Sequence, residues 1–293
     1  MTTLVSVGSG KGGSGKSMVA INLATTLAAK GKNTVLVDLD TGGANDHILF
    51  GLLNPAATLD DFLSRKAASL NEIIQPINGS SKLGLIVGAG NNLQTANMPY
   101  ATKGRVMRSI LSLDADIVII DVGAGSHYSS LDFFMFADHQ LCVATPEPTA
   151  ILDLFNFIKL AVTRKMMSAF ISQDRLNKAL RKTDFKSKAD LLDFAEKVRP
   201  GCRDTIAETV AAFDPCLVIN RQLKGRSLNI FQLKKMLHDY MGIAPPILAE
   251  IPEDEAVLDS ICSYLPVVST ASNSPAAQSI TKLADNLLEH ISD

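Results

Sequence analysis

The segment GKGGSGKS, residues 10–17, has the residue types and the spacing of a phosphate-binding loop. It fits the pattern G-x-x-x-x-G-K-[ST], in which Lys16 can reach the β- and γ-phosphates of a nucleotide and Ser17 can ligate Mg²⁺. Its glycines let the backbone wrap closely around a phosphate. A second lysine, Lys11, lies five residues before Lys16, and the general pattern gives it no role. The loop predicts a nucleotide site with one additional cation.

Three aspartates follow apolar runs that we predict to be strands. Asp38 and Asp40 lie in VLVDLDTGGAN, and Asp121 lies in IVIIDVGAG, before two glycines that are typical of a mobile switch loop. Ligands of open parallel sheets bind outside the carboxyl ends of the strands. A nucleotide site also needs a carboxylate near Mg²⁺ and a group that positions the attacking water. The three carboxylates are therefore candidates for these two tasks.

Short runs rich in Val, Ile and Leu alternate with longer segments of helical period, which predicts a mostly parallel sheet covered on both faces. We predict strands at 3–7, 34–38, 83–87, 117–121, 141–145, 216–220 and 247–251. We predict helices at 16–30, 103–113, 130–137, 150–165, 229–241, 253–263 and 275–291. The fold class is thus α/β, with a doubly wound sheet flanked by helices in one domain, residues 1–293.

One region, residues 166–214, interrupts the alternation with helical period and no strand. Leu191, Phe194, Ala195 and Val198 recur at i, i+3, i+4 and i+7. Residues 164–203 carry 11 basic and 5 acidic side chains, whereas the whole chain has a net charge of −2. The pattern predicts a helical insertion with a basic face. DNA, a membrane or an acidic protein are possible partners of this face, and a merely solvated surface is the simplest alternative.

Composition excludes several classes of function. The net charge predicts no general affinity for nucleic acid or acidic lipid. The four cysteines form no C-x-x-C pair, so we expect reduced, mostly buried thiols rather than a zinc or redox site. The N-terminus lacks the features of a secretory leader, and no apolar run approaches the roughly 20 residues that span a bilayer. We therefore expect a cytoplasmic protein.

The motifs resemble those of a known family over nearly the whole chain. GKGGSGKS is similar to the deviant phosphate loop, K-G-G-x-x-K-[ST], of the MinD/ParA family of dimeric P-loop ATPases. VDLDTGGAN resembles the first switch of that family, IVIIDVGAG the second, and VINR the segment whose asparagine binds adenine. The runs TPEPTAILD and IPEDEAV are similar to the MinD-like branch that includes the flagellar-number regulator FlhG.

The resemblance implies ATP and Mg²⁺ as cofactors and assigns roles by position. Lys11 crosses the dimer interface to the phosphates of the other subunit, in the manner of an arginine finger. Lys11, Lys16 and Asp40 are then the catalytic residues, with Asp40 positioning water. The implied metal site consists of Ser17, Asp38 and Asp121. The implied nucleotide site consists of Gly10, Lys11, Gly12, Gly13, Ser14, Gly15, Lys16, Ser17, Met18, Asn220, Arg221 and Pro252, of which Asn220 binds adenine and Pro252 lines the base pocket. Ser14 and Ser17 stand where the family more often has valine and threonine.

The function implied by the resemblance is a slow, partner-stimulated ATPase. ATP would close a homodimer that takes part in positioning a flagellar, polar or partition complex, with recruitment to the cell pole or inner membrane surface through a protein partner or cargo. An iron–sulfur carrier of the nitrogenase iron protein type is the main alternative, and its cysteines should converge at a dimer axis or form C-x-x-C pairs. Bacterial tyrosine kinases have a tyrosine-rich tail that is absent here, and metabolic ligases share the fold.

The C-terminal segment, SPAAQSITKLADNLLEHISD, has an apolar face formed by Ile280, Leu283, Leu287 and Ile291. Membrane-binding members of the MinD-like group end in a basic amphipathic helix. In this segment Lys282 is the only Lys or Arg, whereas helices that lie on anionic membranes carry several. We therefore expect a helix packed on the sheet rather than a membrane anchor.

Overall fold

A computed structural model describes residues 2–40, 45–89, 98–170, 175–180, 183, 185, 187–211, 213, 215–223 and 230–292. Its centre is an eight-stranded sheet. The strands are β1 (Thr3–Gly8), β2 (Thr34–Leu39), β3 (Ile74–Pro76), β4 (Leu83–Ile86), β5 (Ile117–Val122), β6 (His139–Ala144), β7 (Pro215–Gln222) and β8 (Ile247–Pro252). Their order is β3-β4-β2-β5-β1-β6-β7-β8, and only the β3–β4 pair is antiparallel.

The predicted fold class is confirmed, and so are all seven predicted strands. The additional strand, β3, has three residues on the edge of the sheet, too few to show a period of two. The main helices are α1 (Lys16–Ala29), α2 (Leu59–Leu63), α3 (Tyr100–Ile110), α4 (Tyr128–Phe134), α5 (Pro148–Ser168), α6 (Arg175–Leu180), α7 (Lys188–Val198), α8 (Arg203–Ala211), α9 (Ile230–Met241), α10 (Glu255–Cys262), α11 (Val267–Thr270) and α12 (Pro275–Ser292). The short helices α2 and α11 were not predicted.

Both faces of the sheet are buried under helices, as the continuous apolar strands require. One core contains Phe133, Phe134 and Phe157 from α4 and α5, and it extends to α7, α8 and α9. The other core lies under α1 and α12. Burial of the apolar side chains in these two cores is the main favourable contribution to the free energy of folding. The sheet therefore positions the residues at the carboxyl ends of β1, β2 and β5.

The helices α6, α7 and α8 follow α5 and precede β7, where the sequence predicts a helical insertion. Leu191 and Ala195 of α7 are buried, as its period indicates. Two of the basic residues are engaged within the chain, since Arg164 pairs with Asp132 and Arg203 with Asp193. Arg181, Lys182 and Lys186, which contribute to the predicted basic face, lie outside the described residues.

The C-terminal helix α12 packs on β8 and α1, as expected from its charges. Ile280, Leu283 and Leu287 are fully buried, and Ile291 is partly buried against the same core. The apolar face of α12 is thus part of the interior of the protein. Among the helices that the structure describes, none combines the length and apolar character needed to span a bilayer.

Candidate nucleotide-binding site

The loop between β1 and α1 is held between two other elements, and its glycines are needed for that fit. A Cβ on Gly10 would lie 2.3 Å from the backbone of Asp153 in α5. A Cβ on Gly15, which has a φ of +82°, would lie 2.1 Å from Nδ2 of Asn220 in β7. By contrast, a Cβ on Gly12 or Gly13 would meet nothing within 4 Å. The loop is therefore packed at Gly10 and at its α1 end, Gly15, which we call the packed end, whereas its middle, Gly12 and Gly13, faces open space.

Lys16 lies at the packed end, in a cluster of carboxylates at the carboxyl edge of the sheet. It is 5% exposed, and its Nζ donates a hydrogen bond to Oδ1 of Asp121 at 2.6 Å. The hydroxyl of Ser17 donates to Oδ2 of the same carboxylate at 2.5 Å. Oδ2 of Asp40 lies 3.8 Å from the same Nζ. Four residues that the sequence places in three separate motifs are thus brought to one point.

Asp38 is opposite Asp121 in the register of β2 and β5. Its Oδ1 accepts a hydrogen bond from the backbone N–H of Asp40 at 2.9 Å, which fixes the start of the following loop. Burial and the charge of Asp121 raise the pKa of Asp38 to about 7. Residues 41–44, the rest of the predicted first switch, lie outside the described residues.

Asp46 joins this cluster, and the sequence analysis did not single it out. It is 1% exposed, and its backbone N–H lies 3.4 Å from Oδ2 of Asp38. Burial, followed by the charge of Asp38, raises the pKa of Asp46 well above its usual range. Its Oδ2 has no hydrogen-bond partner in the described part of the chain. No sequence pattern distinguishes this residue, because its burial depends on its placement beside Asp38 and Asp121 in the tertiary structure.

A cavity of about 360 Å³ adjoins the packed end of the loop. Its walls combine the end of β7, the end of β8 and one face of α10. The lining residues are Gly15, Met18, Asn220, Arg221, Pro252, Glu253, Asp254, Val257, Leu258 and Ile261. Mostly apolar walls with a few polar groups are typical of a site for a flat base. Five residues that the resemblance selected therefore meet here, namely Gly15, Met18, Asn220, Arg221 and Pro252. The sequence analysis missed the apolar wall from α10.

The polar groups of the cavity are fixed by their neighbours. Nδ2 of Asn220 donates to the backbone oxygen of Ser14 at 2.9 Å, which connects β7 with the phosphate loop. Arg221 has a φ of 59°, a conformation that is uncommon for a non-glycine residue, and Glu253 accepts hydrogen bonds from its guanidinium at 2.8 and 3.3 Å. The cavity mouth is therefore shaped by an ion pair between the ends of β7 and β8.

The oxygen atoms at the loop suit Mg²⁺, which takes few protein ligands and completes its shell with phosphate and water. Ser17 is hydrogen-bonded to Asp121, and Asp38 lies beside Asp121 on the neighbouring strand. No group of three or more His, Cys, Asp or Glu side chains among the described residues forms a metal cage by itself. The arrangement fits a metal that is bound together with a nucleotide, in which one hydroxyl and one carboxylate are contributed by the chain.

Lys11 lies apart from the carboxylate cluster. Its Nζ donates hydrogen bonds to Oε2 of Glu147 at 3.2 Å and to Oγ1 of Thr149 at 3.3 Å. The Lys11 side chain is 34% exposed and the Glu147 side chain 57% exposed. Hydrogen bonds from Lys11 and Thr145 lower the pKa of Glu147. The second lysine of the loop is therefore held on the surface, at the start of α5.

The loop, the carboxylates and the cavity together define a P-loop nucleotide-binding protein. Residues 5–267 match the model of the CobQ/CobB/MinD/ParA nucleotide binding domain, and the chain belongs to this family. The predicted resemblance is confirmed. ATP and Mg²⁺, the predicted cofactors, are those of the family, whose MinD and ParA members are ATPases.

Several relatives and one solved structure illustrate the match. The chain is 26% identical to an uncharacterised ATP-binding protein of Methanocaldococcus jannaschii, over 98% of this chain and 88% of that protein. It is 32% identical to the antiactivator FleN of Pseudomonas aeruginosa, over 54% of this chain and 55% of FleN. It is 29% identical to the flagellum site-determining protein YlxH of Helicobacter pylori, over 63% of this chain and 64% of YlxH.

The fold is similar to that of the septum site-determining protein MinD of Pyrococcus horikoshii, which was solved in complex with Mg-ADP. The TM-score is 0.69 at 22% identity, and the match covers 100% of this chain and 99% of that one.

The cysteines bear on the iron–sulfur alternative. Cys142 and Cys216 lie in the neighbouring strands β6 and β7 and are fully buried, and Cys202 is also buried. Burial raises the pKa of the Cys142 thiol, which disfavours the thiolate that a cluster requires. Only Cys262, at the end of α10, is exposed. These positions match the expected reduced thiols and do not form the converging set that a cluster carrier needs.

Proposed function

We propose that this chain is a Mg²⁺-dependent ATPase that acts as an ATP-dependent dimerisation switch in the spatial positioning of a cellular structure. The main support for this proposal is that one of the two lysines in the loop is buried and the other is on the surface. Lys16 is buried among the carboxylates of its own subunit, whereas Lys11 is on the surface beside two glycines with open space. A single loop therefore presents one cation inward and one outward.

In the proposed site, Lys16 holds the phosphates within the subunit. Its ammonium now pairs with Asp121, so nucleotide binding exchanges one anionic partner for another. Ser17 and Asp121 contribute the metal ligands, and Asp38 supports them from the next strand. Mg²⁺ supplies charge neutralisation for the phosphates when bound. Asn220 and the apolar wall of α10 would hold adenine in the cavity.

Asp40 is the proposed water-positioning group. It is partly exposed at the end of β2, and its carboxylate is 3.8 Å from Lys16, so it lies beside the phosphate position without being buried beneath it. A carboxylate in this place can accept a hydrogen bond from a water molecule in line with the terminal phosphate. Positioning of this kind contributes about 10²–10⁴ in rate.

The dimer follows from Lys11. Gly12 and Gly13 are exposed, and no side chain of the described structure covers them, so a second subunit can approach the loop closely. Exchange of Glu147 for a phosphate of the other subunit would give Lys11 a more highly charged partner. A cation supplied across an interface makes dimerisation dependent on the nucleotide, and hydrolysis then releases the dimer.

The positioning role is supported by the names of relatives that determine septum or flagellum sites. We propose that a protein partner or cargo recruits the chain to the cell pole or the inner membrane surface. The insertion at residues 166–214 of the proposed single domain is its candidate contact, because residues 164–203, most of which belong to it, carry 11 basic and 5 acidic side chains. Reversal of Lys188 and its neighbours Arg181, Lys182 and Lys186 to Glu should abolish partner binding and leave ATP hydrolysis intact.

Three variants test the switch. We expect Lys16→Ala to lose ATP binding, Lys11→Ala to bind ATP as a monomer, and Asp40→Ala to form an ATP-bound dimer that hydrolyses at least roughly 100-fold more slowly. Isothermal titration calorimetry measures binding, sedimentation velocity measures dimerisation, and phosphate release measures turnover. Normal ATP-dependent dimerisation of Lys11→Ala, with wild-type hydrolysis, would show that Lys11 is only a solvated loop residue.

A further inference from the structure

A second cavity, of about 270 Å³, lies between α3, α4 and α5, away from the phosphate loop. Its wall includes Tyr100 and Lys103 of α3, Asp132 of α4, and Arg164 and Lys165 of α5. Met107, Met135 and Phe136 complete it with apolar surface. None of these residues lines the base cavity, and none belongs to the family motifs. We call this cavity the Lys103 pocket.

The charges at the Lys103 pocket do not balance. Asp132 accepts hydrogen bonds from Arg164 at 2.6 Å (Nε to Oδ1) and 3.2 Å (Nη2 to Oδ2), and it also accepts one from Lys103. One carboxylate thus faces two cations, and Lys165 adds a third positive charge to the wall. A bound anion would bring the pocket closer to neutrality without displacing Asp132.

Lys103 has unused hydrogen-bonding capacity in a buried place. It is only 7% exposed, and an ammonium carries three N–H donors. Within the described residues, Asp132 is the single acceptor that Lys103 contacts. A buried charged donor without acceptors is costly, so two donors of Lys103 are available to an acceptor that enters the pocket.

The start of α3 adds to the positive potential. The helix begins at Tyr100, on the wall of the pocket, and no described side chain caps it. The first N–H groups of a helix have no partner within the helix, and the N-terminus carries a partial positive charge. The cavity, the buried ammonium and the helix end therefore all favour an anionic ligand.

We propose that the Lys103 pocket binds the phosphate or carboxylate group of a small molecule between Lys103 and Arg164. The apolar residues accommodate a short hydrocarbon part of that molecule. Because the pocket joins α3, α4 and α5, the ligand stabilises the contacts among these helices. The proposal concerns a site separate from the nucleotide and does not depend on the proposed switch.

A local reporter can test this site, because the chain contains no tryptophan. Tyr100 is 85% exposed, so Tyr100→Trp places a fluorophore on the pocket wall with little effect on packing. The probes are inorganic phosphate and butyrate, titrated at constant ionic strength. We expect a saturable change in emission for at least one of the two, with a dissociation constant on the order of 1–10 mM. The two titrations distinguish a phosphate site from a carboxylate site.

Two further substitutions in the Tyr100→Trp background make the test specific. Lys103→Met should weaken binding at least roughly tenfold, because it removes a charged hydrogen bond. Lys282→Met removes one positive charge from α12, on the other face of the sheet, and should leave binding unchanged. If Lys103→Met lowers the folded fraction, Lys165→Met replaces it as the test of the site. This variant leaves the pair of Asp132 and Arg164 intact and should weaken binding severalfold. Absence of saturation for both probes, or equal binding by Lys165→Met, Lys103→Met and Lys282→Met, would overturn the proposal.

Discussion

At one end of the phosphate loop Lys16 is 5% exposed and lies 2.6 Å from Asp121. At the other end Lys11 is 34% exposed and lies 3.2 Å from Glu147. The two lysines are close in sequence, yet one is buried beside the ends of β2 and β5 and the other only contacts the start of α5. Burial thus assigns different tasks to the same side chain, because a buried cation is committed to local anions while an exposed one can change partner at little cost.

The largest expected effect is on the buried end. Lys16→Met removes the cation that balances Asp121 and its neighbours Asp38 and Asp46, so we expect the free energy of unfolding of the nucleotide-free protein to fall by about 3–5 kcal/mol. Urea denaturation in EDTA measures the loss. The double variant Lys16→Met with Asp121→Asn should recover part of it. A decrease in the free energy of unfolding no larger than that expected for substitution of an exposed lysine would contradict the burial of Lys16 and its carboxylate partners.

The pH dependence of the free energy of unfolding should come from the buried carboxylates near Lys16. The folded pKa of Asp38, about 7, is higher than the unfolded value of about 3.9. Its contribution to the free energy of unfolding is therefore fully present below about pH 4 and is lost as pH rises from about 4 through 7, by roughly 4 kcal/mol at most. Asp38→Asn should flatten this slope in EDTA. An unchanged slope would assign the titration to Asp46 or Asp121, whose pKa values are also raised by burial.

Glycine substitutions compare the packed end of the loop with its open middle. Gly15→Ala combines a φ of +82° with a Cβ that is 2.1 Å from Asn220, so we expect a loss of roughly 2 kcal/mol or more and impaired nucleotide binding. Gly13→Ala has a φ of +80° in open space and should lose about 1–2 kcal/mol. Gly12→Ala, without either obstacle, should change stability by about 0.5 kcal/mol or less. Thermal unfolding and nucleotide titration of the three variants measure the series. Equal losses would contradict the difference between the packed end and the open middle.

The smallest expected effect on stability is at the exposed lysine. Lys11→Met and Glu147→Gln each break an exposed ion pair, so the free energy of unfolding should change by less than about 1 kcal/mol. The two variants should nevertheless differ in sedimentation with ATP, since Lys11→Met loses the proposed contact across the dimer and Glu147→Gln releases Lys11 for it. If both dimerise as the wild type does, the exposed end has no part in the switch.

Several features of the site were predictable because they depend on residues close in sequence. The loop pattern around Lys16 and the apolar strands before Asp38 and Asp121 are local signals, and they predicted both the elements and their approximate ends. The burial of Asp46, the apolar wall of α10 and the pairing of Lys103 with Asp132 depend on segments that are far apart in the chain. A single sequence shows no periodicity for contacts of this kind.

The sequence by itself determined the class of fold, the phosphate loop and the family, because glycine spacing and strand composition act over a few residues. Only the tertiary structure decided which of the two lysines is buried, since that depends on the parallel pairing of β1 with β5, which brings Asp121 beside the loop. It also decided which elements the C-terminal helix covers, because its apolar face packs on both α1 and β8. Local sequence patterns thus identify the candidate reacting groups. Long-range packing determines which charges surround each group and therefore which role it can have.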